Sequence, residues 1–350
     1  MSAGTMKAWR THAYGEPMKA LVLDTVPIPE PGPGEVLVKA QGIPLNLNDL
    51  ERIRGGNMMA EPKHPYSPGM ETMGMVAATG PGAQGWAGKR VVGITKGAHG
   101  SFAEYVICLA GSVFEMPDSI PLPDAAAIFY PFHLAWLGLI ERGTLKSGES
   151  VLIHAAAGGS GSAAIQLAVN AGARVFATVG SDEKKALCRE LGAEVAINYK
   201  TEDFAQIVYE KTNGKGVDMV FDNVGEAVLD KSIRAIAYGG RYLVMGFASN
   251  KRVADEKFYV PRRLSLGNFS LVGVGLGYAD DMTGAYLKKN MGWNFSPHRQ
   301  GAEINRKIVD LILSKKVRTV IGSAVPFSEV PAAFEAMAAS KTTGRTVVLV

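Results

Sequence analysis

Two cysteines are all that this 350-residue chain contains. Cys108 and Cys188 stand alone and far apart, so no disulfide framework and no cysteine-based zinc site can be assembled from them. Both are expected as small core residues. Long apolar runs are missing as well: nothing approaches the ~18 uninterrupted residues of a membrane span. The opening Met1-Ser2-Ala3-Gly4-Thr5-Met6-Lys7 lacks the apolar centre of a secretory signal, so the expected location is the cytoplasm. Blocks of one charge are absent too. The net charge is only +4, and the basic residues fall in short pairs such as Arg262-Arg263, Lys288-Lys289 and Lys315-Lys316. Such pairs read as solvated surface, so no nucleic-acid partner and no membrane partner is expected. Repeats and low-complexity segments are lacking, and the length suits two ordinary globular domains.

What the chain does have is the stretch His154-Ala155-Ala156-Ala157-Gly158-Gly159-Ser160-Gly161-Ser162. It follows the apolar run 151–153 and opens an apolar-periodic segment, 163–171, which makes strand, tight turn and helix. Small residues there let the backbone approach a pyrophosphate, and the amides at the helix start supply donors and a favourable dipole. Glycine-rich turns also join strands to helices for steric reasons alone, so context decides. Five more strand-like runs follow at the spacing of βα units: 174–179, 194–198, 217–222, 241–246 and 269–274. Segments 182–191, 202–212 and 227–237 between them read as helices. The fold expected is α/β, a Rossmann doubly wound parallel sheet that binds a dinucleotide at the carboxyl ends of its strands.

An NAD site usually places an acid about 20 residues on, at the tip of the second strand. Here that strand ends Thr178-Val179-Gly180-Ser181, Lys184 and Lys185 follow one turn into the helix, and Tyr199 ends the third strand. A hydroxyl and a lysine suit the 2′-phosphate of NADPH, with Tyr199 covering it or the adenine. The other reading makes Ser181 an N-cap, Asp182 and Glu183 first-turn acids and the lysines solvated; both can hold together. Asp182 is the residue that argues against NADPH.

About 130 residues before this unit have many Gly and Pro between short β-rich runs, 19–23, 35–40, 74–79, 90–95 and 102–107, which suggests a small irregular β-barrel. After the sixth strand come a polar stretch without clear period, 278–301, helices over 303–314 and 328–340, and a strand over 345–350. So short and apolar a strand is expected to rejoin a sheet already built. Residues 1–129 and 278–350 are then one domain, with 130–277 inserted.

The pattern Pro29-Glu30-Pro31-Gly32-Pro33-Gly34-Glu35-Val36-Leu37-Val38, then Asn46-x-x-Asp49, Pro68-Gly69-Met70-Glu71-x-x-Gly74 and Ala155-x-x-Gly158-x-x-Gly161, resembles the medium-chain dehydrogenase/reductase superfamily over almost the whole chain. The resemblance implies a GroES-like catalytic domain beside the Rossmann domain. Zinc alcohol dehydrogenases of that superfamily hold a catalytic metal at positions that correspond here to Asn46, Met70 and Tyr130, and an amide, a thioether and a phenol are not a zinc set. No metal is expected. Glu71 is read as a hydrogen-bonded structural carboxylate.

Among zinc-free members the chain is most similar to the NADPH-dependent quinone reductases, the zeta-crystallin-like branch, in 151–161 and in Ala193-x-x-Ala196-Ile197-Asn198-Tyr199. That resemblance implies hydride transfer from NADPH to a quinone or α,β-unsaturated carbonyl, and a homodimer joined through the sixth strand. It implies Lys184 and Tyr199 at the 2′-phosphate and Asn46 and Asp49 by the nicotinamide end. Asn223, Phe247 and Val274 would line the rest of a groove begun by Ala157, Gly158, Gly159, Ser160, Gly161, Gly180 and Ser181. Enone reduction develops charge on the carbonyl oxygen, for which Tyr130 is the first candidate donor, with Asn46 orienting substrate or ribose. Tyr130 also reads as part of an aromatic wall. Enoyl-thioester reductases carry a catalytic tyrosine shortly after Asn-x-x-Asp, where this chain has Gly56-Asn57-Met58-Met59. An enoyl-CoA reductase, for which the basic pairs suit a phosphate-bearing ester, and a non-catalytic NADPH-binding protein are the alternative readings.

Overall fold

The computed structural model describes residues 4–56, 62–245, 261–339 and 341–350. The chain forms two compact units, one of Met1–Tyr130, Gly277–Leu313 and Thr319–Val350, the other of Pro131–Leu276 and Ser314–Arg318.

The first unit begins with β1 (Thr5–Thr11), antiparallel to β2 (Leu21–Pro27). The run expected as strand from Lys19 instead starts as one helical turn, Pro17–Ala20, because Pro17 at its first position presets a helical φ; extended chain starts at Leu21. β3 (Glu35–Pro44), β4 (Glu71–Thr79), β5 (Arg90–Thr95) and β6 (Tyr105–Glu115) follow in a second sheet, in which β4, β5 and β6 each run antiparallel to the strand before. β6 also pairs with β3, from Glu35↔Leu109 to Lys39↔Tyr105. With a neighbour on each edge, β3 is buried along most of its length instead of alternating. Val36, Val38, Ile43, Val91, Phe102 and Val106 form the centre of this unit's core. Each such side chain contributes ~1.5–3 kcal/mol by leaving water.

The second unit holds β7 (Ser150–Ile153), β8 (Arg174–Val179), β9 (Val195–Asn198), β10 (Val217–Asp222), β11 (Ile236–Val244) and β12 (Ser270–Gly273). All pair in parallel, in the order β12-β11-β10-β7-β8-β9. That is the doubly wound order, with its reversal between β7 and β10. The sheet is covered on both faces, which is why β7 is buried at every position and reads as a continuous apolar run. β11 starts earlier than expected and takes the end of the predicted helix, which stops at Ala235. The register against β10 jumps from Val217↔Ile236 to Met219↔Arg241, so Tyr238, Gly239 and Gly240 bulge out of the ladder between them.

The chain returns to the first unit through β13 (Tyr278–Ala279) and β14 (Ser296–Pro297), paired in parallel. Between them the stretch expected to lack period forms a helix, Asp281–Met291. Asp280 caps it by accepting from the Thr283 amide at 2.8 Å, and Gly292 ends it in the left-handed region. None of its residues is buried, so it has no apolar face to betray it. A second helix, His298–Leu313, starts before the expected 303. β15 (Ile321–Pro326), the helix Val330–Ala338 and β16 (Arg345–Leu349) complete the unit. β16 lies parallel to β15 and antiparallel to β3, with Val347 opposite Pro44. Among the described residues no helix is long and apolar enough to cross a membrane.

Candidate active site

In the second unit, β7 leads into a turn in which Ala155 takes φ 52°, a left-handed conformation that aims its carbonyl at the helix start. The Gly158 amide donates to that carbonyl at 3.1 Å. A Cβ on Gly161 would stand 2.3 Å from the same oxygen and 2.6 Å from the Ala156 Cα, so only glycine lets the helix Gly159–Asn170 begin this close to the turn. Ala157 is buried, while Gly158, Gly159 and Ser160 are half-buried. The first helical bond runs from the Ser162 amide to the Gly158 carbonyl at 2.9 Å. The amides of Gly159, Ser160 and Gly161 therefore point ahead of the helix without an intrahelical acceptor, the arrangement that receives a phosphate.

His154 anchors this turn and does no proton chemistry. Its Nδ1 lies 2.8 Å from Thr178 Oγ1 and its Nε2 2.8 Å from Ser232 Oγ, and burial pushes its pKa down to about 3. It ties the end of β7 to β8 and to the helix Glu226–Ala235 as a neutral ring.

At the tip of β8, Gly180 comes so close to Tyr199 that a Cβ would stand 3.1 Å from the tyrosine hydroxyl. Tyr199 is 45% exposed, and Lys184 is half-buried one turn into the next helix. Ser181 holds the N-cap position with no capping bond; its hydroxyl bonds the Glu183 carboxyl and holds it below the usual range. Asp182 lies 3.5 Å from Lys185 Nζ, which also meets Glu202 at 2.8 Å. Asp182 is thus engaged with Lys185, and Lys185 with Glu202 as well. Beyond β10, Asp222 accepts from the amides of Val224 and Gly225 at 2.7 and 2.9 Å and from the Tyr242 hydroxyl at 2.8 Å. This fixes the turn that carries Asn223, whose Nδ2 is buried with no partner among the described residues. Val274 is buried beyond β12, its amide donating to the Val244 carbonyl at 3.0 Å. Phe247 lies outside the described residues. Unclaimed helix-start amides and an orphaned amide nitrogen beyond β10 are donors of the kind a dinucleotide needs, so the residues fit that group.

The first unit contributes a buried polar cluster. Asn46 ends the loop after β3 and begins the helix Leu47–Ile53; its amide donates to Asp49 Oδ2 at 3.2 Å. Its side-chain Nδ2 reaches the Pro44 carbonyl at 3.4 Å and Glu71 Oε2 at 3.3 Å, while its Oδ1 accepts from Arg345 Nη1 at 2.9 Å. Arg345 Nη2 donates to Glu71 Oε2 at 2.5 Å, and the Tyr130 amide donates to Glu71 Oε1 at 3.0 Å. Glu71 is 1% exposed and accepts three bonds, the structural role its sequence position suggested. Asn46 is held inside this network, with one Oδ1 lone pair to spare. Asp49 is fully buried with Oδ1 unpartnered; burial pushes its pKa up to about 6, against the pull of Arg52. Burial likewise pushes the Tyr130 phenol up to about 12, aided by the Glu71 charge, so it remains a protonated donor.

Zinc does not fit here. Asn46 offers only a neutral amide already bonded to Glu71 and Arg345, the Met70 sulfur lies 3.8 Å from Asn48 Nδ2, and Tyr130 stays a neutral phenol. Among the described residues no group of three or more His, Cys, Asp or Glu could hold a metal ion. Sequence reasoning missed Arg345, which reaches Glu71 and Asn46 from β16, and Arg52, three residues after Asp49 on the same helix face. The i, i+3 spacing of Asp49 and Arg52 was the one local signal.

Residues 32–118 match the alcohol dehydrogenase GroES-like domain family, and residues 159–289 match the zinc-binding dehydrogenase family. The chain is similar to the quinone oxidoreductase of Sus scrofa, 30% identical over 242 residues that cover 69% of this chain and 73% of that protein. It is similar to prostaglandin reductase-3 of Mus musculus, 36% identical over 225 residues, 64% of this chain and 58% of that one. A solved mycobacterial structure in complex with NADPH superposes with TM-score 0.84 at 28% identity, covering 99% of this chain and all of the other. Motif order, strand order and these likenesses agree: the chain belongs to the medium-chain dehydrogenase/reductase superfamily, in its quinone oxidoreductase branch.

Proposed function

We propose that this protein is a zinc-independent, NADPH-dependent reductase that passes a hydride to a quinone or an α,β-unsaturated carbonyl. The observation that carries the reading is the Asn46–Glu71–Arg345 network: at Asn46, one of the three positions that the resemblance aligns with the metal ligands of zinc relatives, the side chain is committed to Glu71 and Arg345, and Met70 and Tyr130 offer a thioether and a neutral phenol, a set that does not support a Lewis acid. The printed descriptions of the relatives, quinone oxidoreductase, prostaglandin reductase and an NADPH complex, support the same reading.

NADPH, when bound, supplies the hydride. The amides of Gly159, Ser160 and Gly161 receive its pyrophosphate, and Lys184 with Tyr199 receives the 2′-phosphate. Gly180, Ser181, Asn223 and Val274 line the groove, and Asn223 Nδ2 gains the partner it lacks. Tyr130 donates to the acceptor's carbonyl oxygen as negative charge develops there. Asp49 holds a proton close by in the acid half of the physiological range. Asn46 keeps Glu71 and Asp49 in place through its bonds to both. The catalytic part is the first unit, which differs from the expected 1–129 and 278–350 by including Tyr130 and Gly277 and leaving out Ser314–Arg318, and the pairing of β6 with both β5 and β3 supports reading its strands as an irregular barrel. β12 at the end of the parallel sheet is the edge through which a second copy would pair, and light scattering on the purified chain tests that dimer.

Loss of NADPH absorbance in the presence of 9,10-phenanthrenequinone, an aliphatic enone and crotonyl-CoA, with NADH in parallel, tests the reading. Turnover of the quinone or enone with NADPH preferred is expected. Saturable NADPH binding without oxidation by any acceptor would make the protein a binder instead.

A further inference from the structure

Arg52 is a buried cation with orphaned donors among the described residues. It is 8% exposed, its Nε and Nη1 have no hydrogen-bond partner, and no carboxylate among the described residues lies within ion-pair distance of it. Leaving buried guanidinium donors unsatisfied is costly unless something else supplies their acceptors. The fold holds it in place nonetheless: it sits in the last turn of the helix Leu47–Ile53, and its carbonyl accepts from the Tyr66 hydroxyl at 2.9 Å.

Its surroundings point to a ligand. Asp49, Tyr130 and His99 all lie within electrostatic reach of the guanidinium, and burial, aided by the Arg52 charge, holds the His99 pKa below its usual value. Tyr66 packs edge-on between His99 and His64, with ring centroids 6.2 and 5.3 Å away. His64 Nε2 is itself buried without a partner among the described residues, while His64 and His99 are half-buried, so this aromatic wall reaches solvent. Arg345 and Glu71 pair at 2.5 Å, and Asp49 balances Arg52 only through space, with no ion pair between them among the described residues, so the guanidinium donors keep no acceptor.

We infer that Arg52, with the His64–Tyr66–His99 wall, is the specificity subsite of the reductase and takes a carboxylate carried by the acceptor in addition to its enone or quinone. This rests on the reductase reading. A guanidinium gives a carboxylate charge-assisted hydrogen bonds that no neutral substituent can match. The acceptor's carboxylate fills the orphan donors of Arg52 and its reducible carbon is thereby held beside Tyr130.

The test compares 3-benzoylacrylate with its methyl ester as acceptors for NADPH oxidation by the full-length enzyme, in wild type, Arg52→Met and Arg52→Lys. The ester is intrinsically the more electrophilic, so a preference for the acid must come from the protein. Wild type is expected to favour the carboxylate at least about tenfold in kcat/KM, mostly through KM. Arg52→Met brings the ratio to about one or below, and Arg52→Lys keeps most of it. Partial misfolding lowers both substrates alike and cancels in the ratio. A wild-type ratio at or below one, or a ratio that survives Arg52→Met, overturns the inference. If neither compound is oxidant for NADPH, the reductase reading is what fails, and calorimetric binding of 3-benzoylacrylate against its ester still decides the subsite, since a preference lost in Arg52→Met supports it and equal binding overturns it.

Discussion

Arg345 Nη2 stands 2.5 Å from Glu71 Oε2, and the two residues are 8% and 1% exposed: a buried ion pair joins β16 to β4. A buried pair adds little net stability over an apolar replacement, but breaking it strands a charge. Glu71→Gln and Arg345→Met should each lower unfolding stability by ~3–5 kcal/mol in a denaturant titration, and the double variant should lose less than the sum. Additive losses would mean that the two residues do not act as a pair.

Lys184→Ala should weaken NADPH at least about tenfold, ~1.4 kcal/mol, and leave NADH nearly unchanged, read by quenching titration with each nucleotide. Only the 2′-phosphate separates the two ligands. Equal losses would remove Lys184 from the phosphate.

Tyr130→Phe removes the one donor assigned to the acceptor oxygen. A fall in kcat of about a hundredfold or more on an enone, ~3–4 kcal/mol of barrier, is expected, with NADPH affinity intact. Unchanged turnover would leave Tyr130 as wall alone.

His154 should make the fold acid-sensitive. Its pKa is depressed from 6.5 to about 3, so the unfolded chain binds a proton that the folded one refuses. Its contribution is fully present above pH ~6.5 and is lost as pH falls toward 3, by up to on the order of 5 kcal/mol. Urea midpoints of wild type and His154→Gln should converge over that range. A constant gap between the two would contradict it.

Asp49 carries the opposite sign. Its folded value is raised from 3.8 to about 6, so the folded state holds the proton more tightly; the contribution is present below pH ~4 and is lost as pH rises to 6. Asp49→Asn should therefore gain ~2–3 kcal/mol on wild type between pH 4 and pH 7. The same variant should remove a titration near pH 6 from the kcat profile, which a purely structural carboxyl would not show.

Most of the nucleotide-binding fold was legible because its signals are local. The Gly161 contact with Ala155 spans six residues, and parallel strands buried on both faces announce themselves as apolar runs. The helix Asp281–Met291 was marked only by Asp280 and Gly292 at its ends, since packing gave it no periodicity. Asn46, Asp49 and Tyr130 were found through motif order, but their hub was not, because Arg345 meets Glu71 across 274 positions. No window of sequence contains that pair.

The same separation bears on biosynthesis. Asn46 waits for Arg345 across 299 residues of chain, about 15–60 s at ordinary elongation rates. Until β16 arrives, Glu71 has no cation beside it and β3 has an unpaired edge at Gly42 to Pro44. The doubly wound sheet needs nothing beyond Arg318 and can condense first. Ribosome-bound nascent chains should thus acquire a protease-resistant nucleotide-binding unit while the amino-terminal strands are still open to chaperones.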